Sequence, residues 1–224
     1  MAEQQTIRWE SGPGDAPLPP LVDPGDMPGE EHPLVALYRT YGPIFRIYAL
    51  LAHPGARQRV QTEVDAAFAK GPLTWEQLKQ MPDLNGAMME TLRRYPVAGG
   101  HRARVAKAFT FAGYRLEPGN DVFVAMTVPH FLEELYTHPM QFDIDRFREP
   151  RNEHRQRGAY APFGLGDHTC LGAGIAEVQM MVTMAVLLHT HTLQFDPPGY
   201  QLVIEHHPTP VPGNNFHVKA VKRQ

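Results

Sequence analysis

Cys170 is the one cysteine of the 224-residue chain. It stands in Phe163-Gly164-Leu165-Gly166-Asp167-His168-Thr169-Cys170-Leu171-Gly172, a glycine-rich loop that runs directly into an apolar helical stretch. A single sulfur excludes an internal disulfide, an iron–sulfur cluster and a zinc site built from several thiolates. Thiolates persist near neutral pH beside a metal or backbone N–H donors, and a helix N-terminus supplies such donors. Gly164, Gly166 and Gly172 remove side-chain bulk and allow positive φ, so backbone can approach a flat cofactor and turn amides toward the sulfur. A lone cysteine without context is most often a small buried hydrophobe. Phe, Gly, Cys and Gly at these offsets arise by chance on the order of once in a thousand chains of this size, so the loop is read as a metal-ligand loop. One thiolate is enough for axial ligation of a haem iron.

The loop resembles the haem-binding signature of the cytochrome P-450 family, Phe-x-x-Gly-x-x-x-Cys-x-Gly, with a histidine two residues before the cysteine; every fixed position matches. The resemblance implies haem b as cofactor and Cys170 as the proximal iron ligand and catalytic centre. It places Phe163 beside the sulfur, Gly164 and Gly172 against the cofactor, and His168 at a haem propionate.

Glu90-Thr91-Leu92-Arg93 puts two opposite charges at i and i+3 of a helix, which alone describes a solvated pair worth little. The same family carries Glu-x-x-Arg on a helix upstream of its cysteine loop, with a third charged member in an aromatic and proline-rich region further on. Here Arg146, within Phe142-Asp143-Ile144-Asp145-Arg146-Phe147, occupies that slot. The resemblance thus implies a buried structural network of Glu90, Arg93 and Arg146. Between these lies Gly99-Gly100-His101-Arg102-Ala103-Arg104-Val105-Ala106-Lys107, where the family places a propionate-binding arginine, a role that suits the guanidinium fork. The run Arg-Val-Ala-Lys favours Arg104. Ungapped spacing from Pro96 lands on Ala103, which leaves Arg102 open as well.

A chain with 42% hydrophobic residues can bury one core, and its net charge of −3 with interspersed signs gives no footprint for nucleic acid. Residues 1–24 read as a flexible Pro/Gly-rich segment and 25–224 as a single compact haem-thiolate domain. Met1 to Pro20 carries no apolar run of signal-peptide or membrane-span length, so the expectation is a soluble cytoplasmic protein without a membrane partner.

Pro33, Leu34, Leu37, Tyr38 and Tyr41 predict a short amphipathic helix closed by Gly42, and Ile44–Ile47 a weakly alternating strand. A longer helix over roughly 57–68 buries Val60, Val64, Ala67 and Phe68 and ends at Lys70-Gly71. Thr74 and Gln77 form a capping-box pattern for a short helix stopping at Pro82, and Asp83 is the expected cap of the next, which carries Leu84, Met88 and Leu92. Three strands, at 109–111, 114–116 and 122–124, are separated by Gly and Pro turns. Ile175, Val178, Val182 and Ala185 mark a final helix before a strand-rich tail. The fold class expected is mainly α with small β-sheets (α+β), a truncated P-450-like fold.

The resemblance covers about Tyr48 to Gln224, and more thinly Pro19 to Ile47, which matches the family's first helix and strand. Ile47 to Pro54 then joins that strand to the end of the family's long distal helix. The resemblance therefore implies loss of the distal half, with its covering helices and the acid–threonine pair that delivers protons. The thiolate sets the iron's electronics, while the distal half excludes water and positions substrate. Three readings follow. One is an enzyme oxidising small molecules with peroxide, which brings its own protons and reducing equivalents. Another is a haem-binding or gas-sensing module with one of the 12 histidines or a partner on the open iron face. The third is a fragment that becomes an oxygen-dependent monooxygenase, fed by a ferredoxin- or flavodoxin-type reductant, when another chain or a homo-oligomer covers the haem face.

Overall fold

Prolines set where the first helices begin. In the computed structural model, which describes residues 44–206, 210–213 and 215–223, α1 (Ile44–Ala52) and α2 (Pro54–Phe68) are separated only by His53, with Pro54 preset for the first helical turn. The expected strand at 44–47 is part of α1. Four apolar-rich residues fit either element, but Ala49-Leu50-Leu51-Ala52 extends the run with strong helix formers. Arg46, Ala49 and Leu50 share the buried face at helical spacing. The expected 33–41 helix lies outside the described residues, as does the 1–24 segment.

α3 (Trp75–Lys79) opens on a complete capping box: Gln77 N–H donates to Thr74 Oγ1 at 3.2 Å and Thr74 N–H to Gln77 Oε1 at 2.7 Å. α4 (Pro82–Arg94) starts differently from expectation. Pro82 moves the start forward, so Met81 is the cap residue and Asp83 lies inside the first turn. The free amides are met from another helix: Asp83 and Leu84 N–H donate to the Glu63 carboxylate of α2 at 3.0 and 2.8 Å. Asp83 instead pairs with Arg59 and Arg148, each at 2.6 Å.

Among the described residues the strands form four separate two-stranded antiparallel ribbons. β1 (His101–Arg104), which the turn pattern did not reveal, pairs β4 (Asp121–Val124), while β2 (Phe109–Phe111) pairs β3 (Tyr114–Leu116). In the tail, β5 (His191–Asp196) pairs β8 (His217–Lys222), and β6 (Ile204–His206) pairs β7 (Pro210–Pro212). Between β4 and the cysteine loop the chain runs through short 3-10 turns, including Val128–Phe131, Ile144–Phe147 and Glu153–Arg155.

α5 (Ala173–Thr190) is the longest described helix. Its 18 residues, with mean hydropathy 1.3, are long and apolar enough by length and composition to cross a membrane. Met184, Ala185 and Leu188 nevertheless enter the main core with Val60 and Val64 of α2, Leu84 of α4 and Ile144. The expected stripe is only partly right. Val178 packs against the core and Ala185 is buried, whereas Ile175 and Val182 are exposed because the helix turns its methionines inward. Phe68 is half-buried and stacks on the His189 ring at 4.0 Å.

α4 meets the Ile144–Phe147 turn at Gly86, where an added Cβ would lie 2.3 Å from the Ile144 carbonyl oxygen. The clash involves backbone on both sides and cannot be relieved by a rotamer change. Gly86→Ala therefore lowers stability by about 2 kcal/mol, despite roughly 1 kcal/mol of gain in helix propensity. Urea unfolding of the two proteins measures it; equal midpoints would show that turn and helix separate freely.

Candidate functional site

Glu90 and Arg93 face inward from the last two turns of α4, with no exposed side-chain surface, and Arg146 joins them from the Ile144–Phe147 turn at 1% exposure. Arg93 grips Glu90 with both fork arms, Nε to Oε2 at 2.7 Å and Nη2 to Oε1 at 2.8 Å; Arg146 Nε reaches Oε1 at 3.2 Å. The Asp143 N–H donates to the same oxygen at 3.0 Å. The remaining guanidinium hydrogens go to main-chain carbonyls: Arg93 to His130 and Pro139, Arg146 to Thr137, His138 and Gln141. A fourth member, Glu153, accepts from Arg146 at 2.9 Å and balances the second positive charge. Burial works against the charge of Glu153, yet hydrogen bonds from Arg151 and Arg146 outweigh it and hold its pKa below the ordinary range. Sequence reasoning missed Glu153, since nothing in its spacing separates it from the exposed acids around it.

His130, fully buried, was also missed. Burial first, then the nearby Arg93 charge, push its pKa down to about 4, against the opposing hydrogen bond to the Arg93 carbonyl.

The cysteine loop is built between this network and α5. Phe163 packs half-buried on the cluster of Met88, Leu92 and Met180, and its carbonyl accepts from the Cys170 N–H at 2.8 Å, closing the loop. Gly164 has φ +85°, and an added Cβ would lie 2.8 Å from the His168 carbonyl oxygen, so glycine is required there on both counts. Gly172 differs from expectation: it has φ −87° and precedes α5 as an ordinary cap residue, with open space around its Cα apart from the Cys170 sulfur. The Cys170 thiol is exposed.

His168 is exposed and lies 5.1 Å, ring to ring, from His101 at the start of β1, so β1 borders the cysteine loop. Strand alternation places Arg102 and Arg104 together on the exposed face of β1. Arg104 pairs with Asp121 of β4 at 3.3 Å. Both arginines are exposed on the same face of β1, so the ambiguity between them persists in the fold.

These residues fit a haem. One soft donor stands at the surface on a loop whose glycine backbone permits close approach, flanked by exposed Leu165, Leu171 and Ile175 that a flat apolar ring would cover. Exposed Arg102 and Arg104 belong to β1, the strand that borders the loop through His101 and His168, and guanidinium suits carboxylates. Among the described residues no cluster of three or more His, Cys, Asp or Glu is arranged to hold a bare metal ion.

The fold matches that of a solved cytochrome P450DA heme domain, with a TM-score of 0.76 at 24% identity over 85% of this chain and 43% of that one. The chain belongs to the cytochrome P450 family, whose model matches residues 35–218. It is 34% identical over 166 residues to the putative cytochrome P450 136 of Mycobacterium tuberculosis, and 33% identical over 156 residues to a sterol 14alpha-demethylase of Mycolicibacterium vanbaalenii. Those stretches cover 74% and 68% of this chain and 34% of each relative, so the chain spans about a third of their length. The family's cofactor is haem b, held by a cysteine thiolate.

Two outcomes are expected of the network. Glu90→Ala or Arg93→Ala leaves buried charge uncompensated and costs about 3–5 kcal/mol, read as loss of a cooperative thermal transition; an unchanged melting temperature would show that the buried pair contributes no net stability. His130 gains a proton more readily unfolded than folded. Its contribution is therefore complete above about pH 6.5 and is lost as pH falls toward about 4, amounting to roughly 3 kcal/mol. Denaturant midpoints of the wild type and His130→Gln across that range measure it; a pH-independent difference would contradict a buried neutral imidazole.

Proposed function

We propose that this chain is a haem-thiolate oxidoreductase in which Cys170 is the iron ligand, oxidising small organic molecules with peroxide. The observation that carries the reading is the exposed thiol on a loop closed by the Cys170 N–H to Phe163 carbonyl bond, at the head of α5. When bound, haem b with a sulfur ligand supplies the oxidising chemistry. The chain's own parts hold and orient. Phe163 seats the loop on the Met88–Leu92–Met180 cluster, Gly164 keeps the backbone turned at positive φ, and Leu165, Leu171 and Ile175 offer apolar cover. His168 and one of Arg102 and Arg104 hold the carboxylates.

Hydrogen peroxide is already at the two-electron-reduced level of oxygen, so the peroxide reading requires no electron supply from a partner. The membership of a sterol 14alpha-demethylase among the relatives favours the second reading, an oxygen-dependent monooxygenase served by a redox partner.

The reduced protein, purified with haem, is expected to show the red-shifted carbonyl band of thiolate ligation, and Cys170→Ser to lose it. Retention of that band in the variant would sink the assignment. Wild-type protein is expected to oxidise peroxidase dyes with hydrogen peroxide while coupling reductant weakly to product when a ferredoxin-type donor is supplied. Tight coupling would favour the monooxygenase, and no turnover in either assay the haem-binding module.

A further inference from the structure

Three successive residues just before the cysteine loop are each held by a different element. The Ala159 carbonyl accepts from the Tyr136 hydroxyl at 3.0 Å. The Tyr160 hydroxyl donates to the Met89 carbonyl of α4 at 3.2 Å. The Ala161 N–H donates to His130 Nε2 at 3.0 Å. Since Nε2 accepts, the neutral ring carries its proton on Nδ1, which lies 3.2 Å from the Arg93 carbonyl and donates to it. Tyr136, His130, Ala159 and Ala161 are all buried, so no water competes for these bonds.

The clamp converges on one group. The Arg93 guanidinium lies 4.9 Å from the Tyr136 ring centre and donates to the His130 carbonyl. On the other side, the Ala161 carbonyl accepts from Gly164 N–H at 3.2 Å, which starts the turn that brings Cys170 N–H onto the Phe163 carbonyl. An unbroken chain of hydrogen bonds and backbone thus runs from the buried charge network to the sulfur.

We propose that Tyr136 and His130 are positioning residues for Cys170, fixing the cysteine loop relative to α4 through Ala159 and Ala161. This rests on the haem-thiolate reading for its consequence, and on the structure alone for the clamp itself. The imidazole does what a hydrophobe of equal volume cannot: it accepts from one segment through Nε2 and donates to another through Nδ1.

The test compares Tyr136→Phe, which removes one hydroxyl, His130→Leu, His130→Gln and, as a remote control, Val60→Ala in the buried face of α2. Amide hydrogen exchange at Ala161, Gly164 and Cys170 is read in all of them, with the carbonyl spectrum of the haem-loaded proteins. The clamp variants are expected to exchange about tenfold faster at these amides, the usual worth of one hydrogen bond, and to lose part of the thiolate band. His130→Gln is expected to restore both, since its amide can accept and donate. Val60→Ala is expected to lower the melting temperature without either change. Should Tyr136→Phe and His130→Leu only melt earlier, with exchange and band as in the control, the residues are merely structural and the proposal fails. A wild-type protein without the thiolate band would defeat the haem-thiolate reading, and exchange alone would then decide the clamp.

Discussion

The contact on which the rest of the structure depends is the bidentate grip of Arg93 on Glu90 inside a region closed to water. An ion pair in such surroundings is stable only when every remaining polar hydrogen finds a partner. Two glutamates balance two arginines, and the guanidinium hydrogens left over collect carbonyls from the irregular segment at 130–141. That segment has only the 3-10 turn at Val128–Phe131 and scattered local turn bonds, so the network supplies partners for carbonyls that no ladder or long helix engages. A long connection becomes a fixed surface on which the cysteine loop can be laid.

α5 joins two roles in one helix. Its inner side, Met184, Ala185 and Leu188, belongs to the core shared with α2 and α4, while Met180 reaches the second cluster, where Phe163 seats the cysteine loop. The loop is thereby tied to the core at both ends, through Phe163 before the sulfur and through the helix after it. Cys170 lies at the surface, with the Phe163 cluster packed behind its loop.

Ion pairs away from the network play a lesser part. Arg59 and Arg148 both bridge Asp83 and Asp145, linking α2, α4 and the Ile144–Phe147 turn, but these side chains are partly solvated and each pair contributes little on its own. Their value is registry. They hold the turn carrying Arg146 against the helix carrying Glu90, as Gly86 does by close approach.

Signals written in adjacent residues were legible without a structure. The cysteine loop is a pattern of glycines around one sulfur, the Thr74–Gln77 cap is closed by atoms three residues apart, and strands β2 to β4 are punctuated by their own turns. The spacing of Glu90 and Arg93 shows that they can pair; only resemblance suggested that they are buried, because the same i and i+3 pair looks identical on a wet face. The start of α1 reads equally as a strand, since a four-residue apolar run carries no period long enough to choose. Asp83 looks like a cap in sequence, but the acceptor of the first α4 amides, Glu63, comes from another helix. His130, Tyr136 and Glu153 belong to the tertiary structure alone. Their partners lie up to 37 residues away, and a local pattern cannot tell a buried, doubly bonded imidazole from a solvated one. The chain's sequence determined which ligand it offers; folding decided what holds that ligand still, because desolvation depends on what every other segment does.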